Sequence, residues 1–534
     1  MKVNEFLVET LAMNGVKYVF GNPGTTEIAL VRMSGQAVYP EYVTVLSELA
    51  AVAMADGYAR ATRSLGVVNL HAAPGLGNGM GSLSTARAAK TPLLVLIGAQ
   101  DRRHLHTRPI LDGPLEAMAS SVSKAVYTLH SLQDAAFYVE KAIRLALTPP
   151  RGPVALICPM DLMEQEGIDE RPRRIFQPGL SGLTEEDAEL YLRFLTDSQH
   201  LAVVASEEVY WDQAGTELEV LARATGAHIY AAPYTGVLPV SSAAQSFAGY
   251  LPPSKRKIER LLEAYDGLLF LGVTGLRTTL YSSGELLQVK AWIGEDPDVV
   301  VPDTEYKIAR VADIKSALRQ INAKLEPKVM GTDLPVRPSY EWHETGAGTH
   351  PSTVVEKLLK MFSDSLLVDE SGLSTTDVRA FMKVSDGDYI MNGSGGIGWA
   401  LPASVGIQMA NPKRTVLALI GDGSAIYGSE AMWTASKHGT RIVLIVFANG
   451  QYATLNSAAK VLTNESSLNN FSLAHPAIDF GGLAKMYDWK HFRVAEADDL
   501  DRVLQMLVTG VENNTLVEVV LDANTIPITA EDHF

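Results

Sequence analysis

Apolar residues along this chain cluster in short unbroken runs rather than alternating with polar ones. Residues 416–420 (VLALI) and 442–447 (IVLIVF) contain no polar side chain, the pattern of strands buried on both faces in a parallel sheet. Between them, residues 429–438 read as a crossover helix, so residues 415–452 predict one βαβ unit. Each predicted strand runs into a glycine-bearing loop, Gly421-Asp422-Gly423 and Ala448-Asn449-Gly450-Gln451. Parallel strands bring both loops to the carboxyl edge of the sheet, where open α/β sheets bind ligands.

The same grammar recurs upstream. Strands are predicted at 16–20, 43–46, 66–70 and 92–97, and a helix at about 48–62. Glycine loops are predicted at 21–27 and 71–79, the latter followed by a helix. Residues 67–100 thus repeat the strand, glycine loop, helix, strand order of 416–451. Further strands are predicted at 201–205 and 267–272. Residues 160–183 and 326–352 carry Pro, Gly and charge and read as linkers. The expected fold is α/β with three doubly wound parallel-sheet domains at 1–165, 184–325 and 353–534, which suits a chain of 534 residues.

Composition narrows the partners. The net charge of −16 argues against nucleic acid and anionic membrane, leaving a small-molecule partner. The single cysteine, Cys158, sits in an apolar run, so no disulfide framework forms and the thiol reads as a buried strand residue. The first 20 residues suggest an amphipathic helix leading into a strand, not a signal peptide, and no run approaches a membrane span. A cytoplasmic protein is expected.

Several side chains carry candidate chemistry. Asp422 and Asn449, converging among glycines, offer oxygens to a hard cation, with Mg2+ bridging a diphosphate as the natural occupant. Asp-Gly and Asn-Gly are also ordinary turn dipeptides. Glu48 opens a predicted helix with small and apolar neighbours; it is either a cap or a buried carboxyl that shares a proton with a ligand nitrogen. His71, directly after a strand, can reach a ligand or bond to a neighbouring carbonyl. Residues 393–398 satisfy G-x-G-x-x-G between a short strand and a helix, with Asp422 ending the next strand, so an NAD-dependent oxidoreductase is an alternative. Against it, Asp422 lies between two glycines with Asn449 as partner, which suits a metal better than a ribose.

In order, Gly21-Asn22-Pro23-Gly24, Glu48 with Ala55-Asp56-Gly57-Tyr58-Ala59, the His-x-x-Pro-Gly-like segment at His71, and Gly421-Asp422-Gly423 closed by Asn449 resemble a known family. It is that of thiamine diphosphate-dependent 2-oxo acid decarboxylases and carboligases. The benzoylformate decarboxylase branch is the nearest in look and acetolactate synthases are more distant. The resemblance spans nearly the whole chain and implies pyrimidine-binding, central and diphosphate-binding domains in that order. It implies that Asp422, Asn449 and the main-chain oxygen of Gln451 ligate Mg2+, and that Gly423 and Ser424 donate to phosphate. Ile397 would wedge the cofactor, and Glu48 would bond its aminopyrimidine ring. Pro23, Glu370, Ser394, Gly396, Gly421 and Tyr452 would complete the cofactor contacts. Glu48, His71 and Thr25 would be the catalytic set. Thr25, His71, Ile110, Leu111, Thr279, Met391, Thr454, Leu455 and Ala458 would line the substrate pocket.

The pattern also departs from the family. Ala448 replaces the first of the usual Asn pair, and residues 272–280 lack a second active-site histidine, Thr279 standing in its place. His104 or His106 is then a further candidate for proton transfer. Met391, Thr454 and Ala458 alter the aromatic pocket. The implied reaction is decarboxylation of a benzoylformate-like 2-oxo acid to an aldehyde and CO2, with carboligase side activity. Acetolactate synthase-like carboligation and 2-hydroxyacyl-CoA cleavage are alternatives. A homo-oligomer, dimer or tetramer, is implied because the outer domains of different subunits meet at the cofactor.

Overall fold

A computed structural model of the chain describes residues 1–36, 38–281, 291–297, 307–326, 349–463, 471–508 and 513–521. The second expected linker, 326–352, lies almost wholly outside them. Three six-stranded sheets succeed one another. The first holds β1 (Tyr18–Gly21), β2 (Glu41–Thr44), β3 (Gly66–His71), β4 (Leu93–Ala99), β5 (Ala125–Thr128) and β6 (Val154–Pro159) in the order β2-β1-β3-β4-β6-β5. The second holds β7 (Leu201–Ala205), β8 (His228–Ala231), β9 (Phe247–Tyr250), β10 (Gly267–Leu271), β11 (Ala291–Gly294) and β12 (Ile308–Val311), ordered β12-β11-β10-β7-β8-β9. The third holds β13 (Leu366–Glu370), β14 (Tyr389–Met391), β15 (Val416–Gly421), β16 (Ile442–Ala448), β17 (Lys490–Val494) and β18 (Thr515–Val520), ordered β14-β13-β15-β16-β18-β17.

The paired strands within each sheet are parallel, and the apolar runs of β4, β15 and β16 are buried on both faces, as their lack of alternation predicts. The first and third sheets share one topology, which bears out the repeated plan read from residues 67–100 and 416–451. In each of these two sheets the winding reverses between the first and third strands in sequence. Ligands enter open α/β sheets at that switch point. In the first sheet it lies between β1 and β3, at Gly21 and His71; in the third it lies between β13 and β15, at Glu370 and Gly421.

Two outcomes differ from the sequence reading. Residues 71–79 are not a loop: a helix, Ala72–Ala88, begins directly after His71. Gly75 and Gly79 serve close packing rather than a turn, because a Cβ at Gly75 would lie 3.3 Å from Glu48 Oε1 and one at Gly79 would lie 3.2 Å from Val52 Cγ2. The crossover after β15 is also broken into Asp422–Tyr427 and Ala431–Lys437, so Asp422 opens a short helix instead of sitting in a loop.

A helix pair joins the outer sheets. Glu48–Thr62 packs on Ala400–Ala410, and a Cβ at Gly57 would overlap the Ala403 carbonyl while one at Gly406 would overlap the Met54 carbonyl. Only glycine allows so close an approach. Contacts that climb one helix while descending the other make the pair antiparallel. At its heart Asp56 receives Arg60 Nε at 2.8 Å, Arg60 Nη2 at 2.7 Å and Trp399 Nε1 at 2.7 Å.

Candidate active site

The third sheet's switch point opens into a cavity of about 440 Å³. β15 and β16 run in register, Gly421 opposite Phe447, so Asp422 and Asn449 emerge side by side at its wall. Asp422 is buried; its Oδ1 accepts the Gly423 N–H at 2.8 Å and its Oδ2 the Gly450 N–H at 2.8 Å. Burial pushes the carboxyl up, while the N–H groups of Gly450 and Gly423 pull it back. Asn449 Oδ1 accepts the Gln451 N–H at 3.0 Å. One carboxylate and neutral oxygens fit Mg2+ bound jointly with a phosphate, since this ion takes few protein ligands and keeps the rest for phosphate and water. No cluster of three His, Cys, Asp or Glu among the described residues offers an all-protein cage. Ile397, Tyr452, Thr454 and Leu455 also border the cavity, as do Gly396, Gly421, Gly423 and Ser424.

Glu370, at the end of β13, lines the same cavity. Its carboxylate accepts the N–H groups of Gly398 at 2.6 Å, Trp399 at 2.8 Å and Ala400 at 2.7 Å. Burial raises the carboxyl to about 7, opposed by those three N–H groups and the Ser424 hydroxyl. This geometry corrects the dinucleotide alternative. A pyrophosphate would need the helix N-terminus that follows G-x-G-x-x-G, and here a protein carboxylate fills it.

The first sheet's switch point holds the other half of the predicted set. Ser47 caps the Glu48 helix through the Ala50 N–H. The buried Glu48 carboxyl receives Asn22 Nδ2 at 3.2 Å and Asn78 Nδ2 at 3.1 Å. His71 ends β3, and its ring packs where a Cβ on Gly24 would stand. Its Nδ1 lies 2.9 Å from Thr26 Oγ1 and 2.9 Å from Glu27 Oε2. Sequence reasoning placed Glu27 only at the end of the glycine loop 21–27. It caps that loop, accepting the Gly24 N–H at 2.9 Å, and it also fixes His71. The available signal was a lone carboxylate beside the apolar stretch 28–31.

The remaining predicted residues are scattered. Thr279 lines the cavity with its Oγ1 3.1 Å from Tyr234 OH, and Met391 lies buried in the same wall. Ser394 does not border it; its Oγ lies 2.7 Å from Thr85 Oγ1. Ala458 is outside the cavity lining. Pro23 and Thr25 are exposed beside His71, and Ile110 is 82% exposed and Leu111 39% exposed, away from the cavity. His104 and His106 are exposed on the turn Arg102–Thr107. Burial pushes the Cys158 thiol up to about 12, which removes it as a nucleophile.

Within one chain the two halves stand apart. The antiparallel helix pair sends Glu48 and the Gly398 loop to opposite ends, about 20 Å apart along the helices at ~1.5 Å per residue.

The two outer sheets that carry these switch points find their match among known proteins. Residues 1–123 match the thiamine pyrophosphate enzyme N-terminal TPP binding domain, and residues 370–519 match the C-terminal TPP binding domain. The chain belongs to the thiamine pyrophosphate-dependent enzyme family. More particularly, it is 31% identical to benzoylformate decarboxylase of Pseudomonas aeruginosa over 532 residues, covering 96% of this chain and 97% of that protein. Its structure superposes on the thiamine diphosphate-dependent 4-hydroxybenzoylformate decarboxylase of Rhodococcus jostii with a TM-score of 0.90, at 29% identity, covering 98% of this chain and all of that one (100%). The fold is also that of benzoylformate decarboxylase from Polynucleobacter necessarius, with a TM-score of 0.92 at 24% identity over 99% of this chain and 100% of that one. Among the described residues no helix is long and apolar enough to cross a membrane.

Proposed function

We propose that the chain is a thiamine diphosphate-dependent carboxy-lyase that converts a benzoylformate-like 2-oxo acid to an aldehyde and CO2. The observation that carries the reading is the pair of switch-point sites in two sheets of identical topology, on a chain that aligns end to end with a decarboxylase. Thiamine diphosphate, when bound, supplies the electron sink that accepts the pair released with CO2. Asp422, Asn449 and the Gln451 carbonyl would hold Mg2+ against the diphosphate, with the Gly423 N–H and Ser424 hydroxyl as phosphate donors. Ile397, 43% exposed at the cavity wall, would offer the cofactor an apolar surface.

Glu48, oriented by Asn22 and Asn78, would bond a ring nitrogen of the aminopyrimidine. Turnover consumes a proton, since R–CO–COO⁻ plus H⁺ gives R–CHO plus CO2. His71 is suited to deliver it: Glu27 and Thr26 hold Nδ1, which leaves Nε2 to exchange a proton with the reacting atoms. Thr25, in the same loop, would meet the substrate. The separation of Glu48 from the cavity in one chain supports a homo-oligomer in which the carboxyl of one copy serves the cofactor held by another. Exposed apolar groups on both halves, among them Ile28, Leu46, Ile397 and Tyr427, favour burial against a second copy.

The reading is tested with a panel of aryl and aliphatic 2-oxo acids, supplied with Mg2+ and thiamine diphosphate, and monitored for CO2 and aldehyde. Glu48→Gln is expected to lose at least ~100-fold in kcat/KM, the lower end of what acid–base groups contribute. Unchanged turnover would remove the carboxyl from the chemistry, and acyloin as main product would make the enzyme a carboligase.

A further inference from the structure

Arg379 lies on the helix Thr375–Phe381 and borders the cavity, against the wall that Met391 forms. Its guanidinium is poorly served by the protein. Nη2 is directed at the Met391 thioether sulfur at 2.7 Å, and Nε is buried with no hydrogen-bond partner among the described residues. The group stacks on the Tyr250 ring at 3.7 Å and touches the Tyr389 hydroxyl. A guanidinium presents five N–H donors, and these meet one sulfur, one phenol oxygen and a ring face.

The Asp369 carboxylate, whose field reaches the guanidinium, does not pair with it. Asp369 is fully buried, but its oxygens are taken by Tyr389 OH at 2.7 Å, the Ser371 N–H at 2.9 Å, Ser371 Oγ at 2.6 Å and Thr375 Oγ1 at 3.2 Å. No ion pair joins it to Arg379 among the described residues. Those four donors disperse the Asp369 charge and weaken its repulsion of a second anion. A half-buried cation with unused donors, facing a cavity, is a receptor for an oxyanion.

We infer that Arg379 is a specificity-determining residue that binds an acceptor group at the far end of the substrate, so that the preferred 2-oxo acid carries a second, distal carboxylate. The inference rests on the decarboxylase reading and deepens it. Met391 closes one side of the subsite as an adaptable apolar wall, and Arg379 supplies the charge behind it.

The test compares 2-oxoglutarate, 2-oxoadipate and 4-carboxybenzoylformate with benzoylformate and 4-hydroxybenzoylformate, using the Mg2+ and thiamine diphosphate holoenzyme and its Arg379→Met and Arg379→Lys variants. The preferred distal acid is expected to exceed benzoylformate in kcat/KM. Arg379→Met should lower that ratio by about 10- to 100-fold, the range carried by a hydrogen bond to a charged group, and Arg379→Lys should restore part of it. Thiamine diphosphate affinity, read by tryptophan quenching, reports whether the variants are folded. A ratio that is the same in wild type and Arg379→Met overturns the assignment, as does a preference for the phenol over every carboxylate. Calorimetric titration of the same acids keeps the two readings separable. If wild type releases CO2 from none of them, the decarboxylase reading fails, whereas distal-acid binding that Arg379→Met abolishes upholds the subsite and unaltered binding rejects it.

Discussion

Asp56 is the point at which the seam between the outer sheets is most exposed to a single change. Asp56 and Arg60 are 0% and 1% exposed, and the carboxylate receives three hydrogen bonds, two from the guanidinium and one from the Trp399 indole. Arg60 also donates to the Met391 carbonyl at 3.0 Å and stands over the Trp399 ring at 4.7 Å. Asp56→Ala leaves the guanidinium buried without its counter-charge, a loss of about 3–5 kcal/mol. The orphaned indole N–H adds ~1–3 kcal/mol. The sum is a large share of the ~5–15 kcal/mol that holds a typical domain together. The assay is urea unfolding followed by tryptophan fluorescence and far-UV circular dichroism, on wild type, Asp56→Ala and the Asp56→Ala/Arg60→Met pair. Because the damage comes from the unpaired charge, removing Arg60 as well should recover at least ~1 kcal/mol. A single variant that loses under ~1 kcal/mol, or a double variant less stable than the single one, would refute the reasoning, since either result means the pair is not acting as a buried ion pair.

Other consequences follow from the geometry. If Glu48 and Asp422 of different copies complete each site, co-refolding inactive Glu48→Gln with inactive Asp422→Ala should restore about a quarter of wild-type activity in a randomly mixed dimer; no recovery would place both residues in one chain's site. Between the first two sheets, the buried carboxylates Glu208, Asp212 and Glu295 meet the ion-paired cations Lys90 and Arg151, and burial raises Glu295 from 4.5 to about 9 against the pull of Arg151. The folded chain then keeps a proton that the unfolded chain releases, so stability should fall as pH rises from 4.5 through about 9. Glu295→Gln should flatten that decline when urea midpoints are compared at pH 6 and pH 9, and an equal decline in both proteins would acquit Glu295.

What the sequence made legible was the part written in local pattern. The VLALI and IVLIVF runs suit strands covered on both faces, and parallel strands bring the segments that follow them to one edge, so Asp422 and Asn449 were found together. Glu48 and His71 were visible for the same reason, standing next to an element boundary. The predicted glycine loop 71–79 misled because glycine has two uses, turning a chain and letting two elements approach, and the facing Glu48 helix tells them apart. Partners far apart in sequence left no trace: Glu27 reaches His71 across 44 positions, and Asp56 reaches Trp399 across 343. Arg379 escaped because an arginine within a helix reads as solvated until the cavity beside it is seen.

The Glu370 carboxylate has one more effect. The Gly398–Ala400 helix start, which faces the end of β13, presents three backbone N–H groups of the kind that attract an anion, and so competes with the Asp422 edge for the negatively charged tail of a cofactor. By filling that start with a side chain of its own, the protein gives the cleft a polarity. If the Asp422 end holds the diphosphate, as proposed above, the Glu370 carboxylate keeps the tail away from the Gly398–Ala400 helix start, and the cofactor is held in one direction.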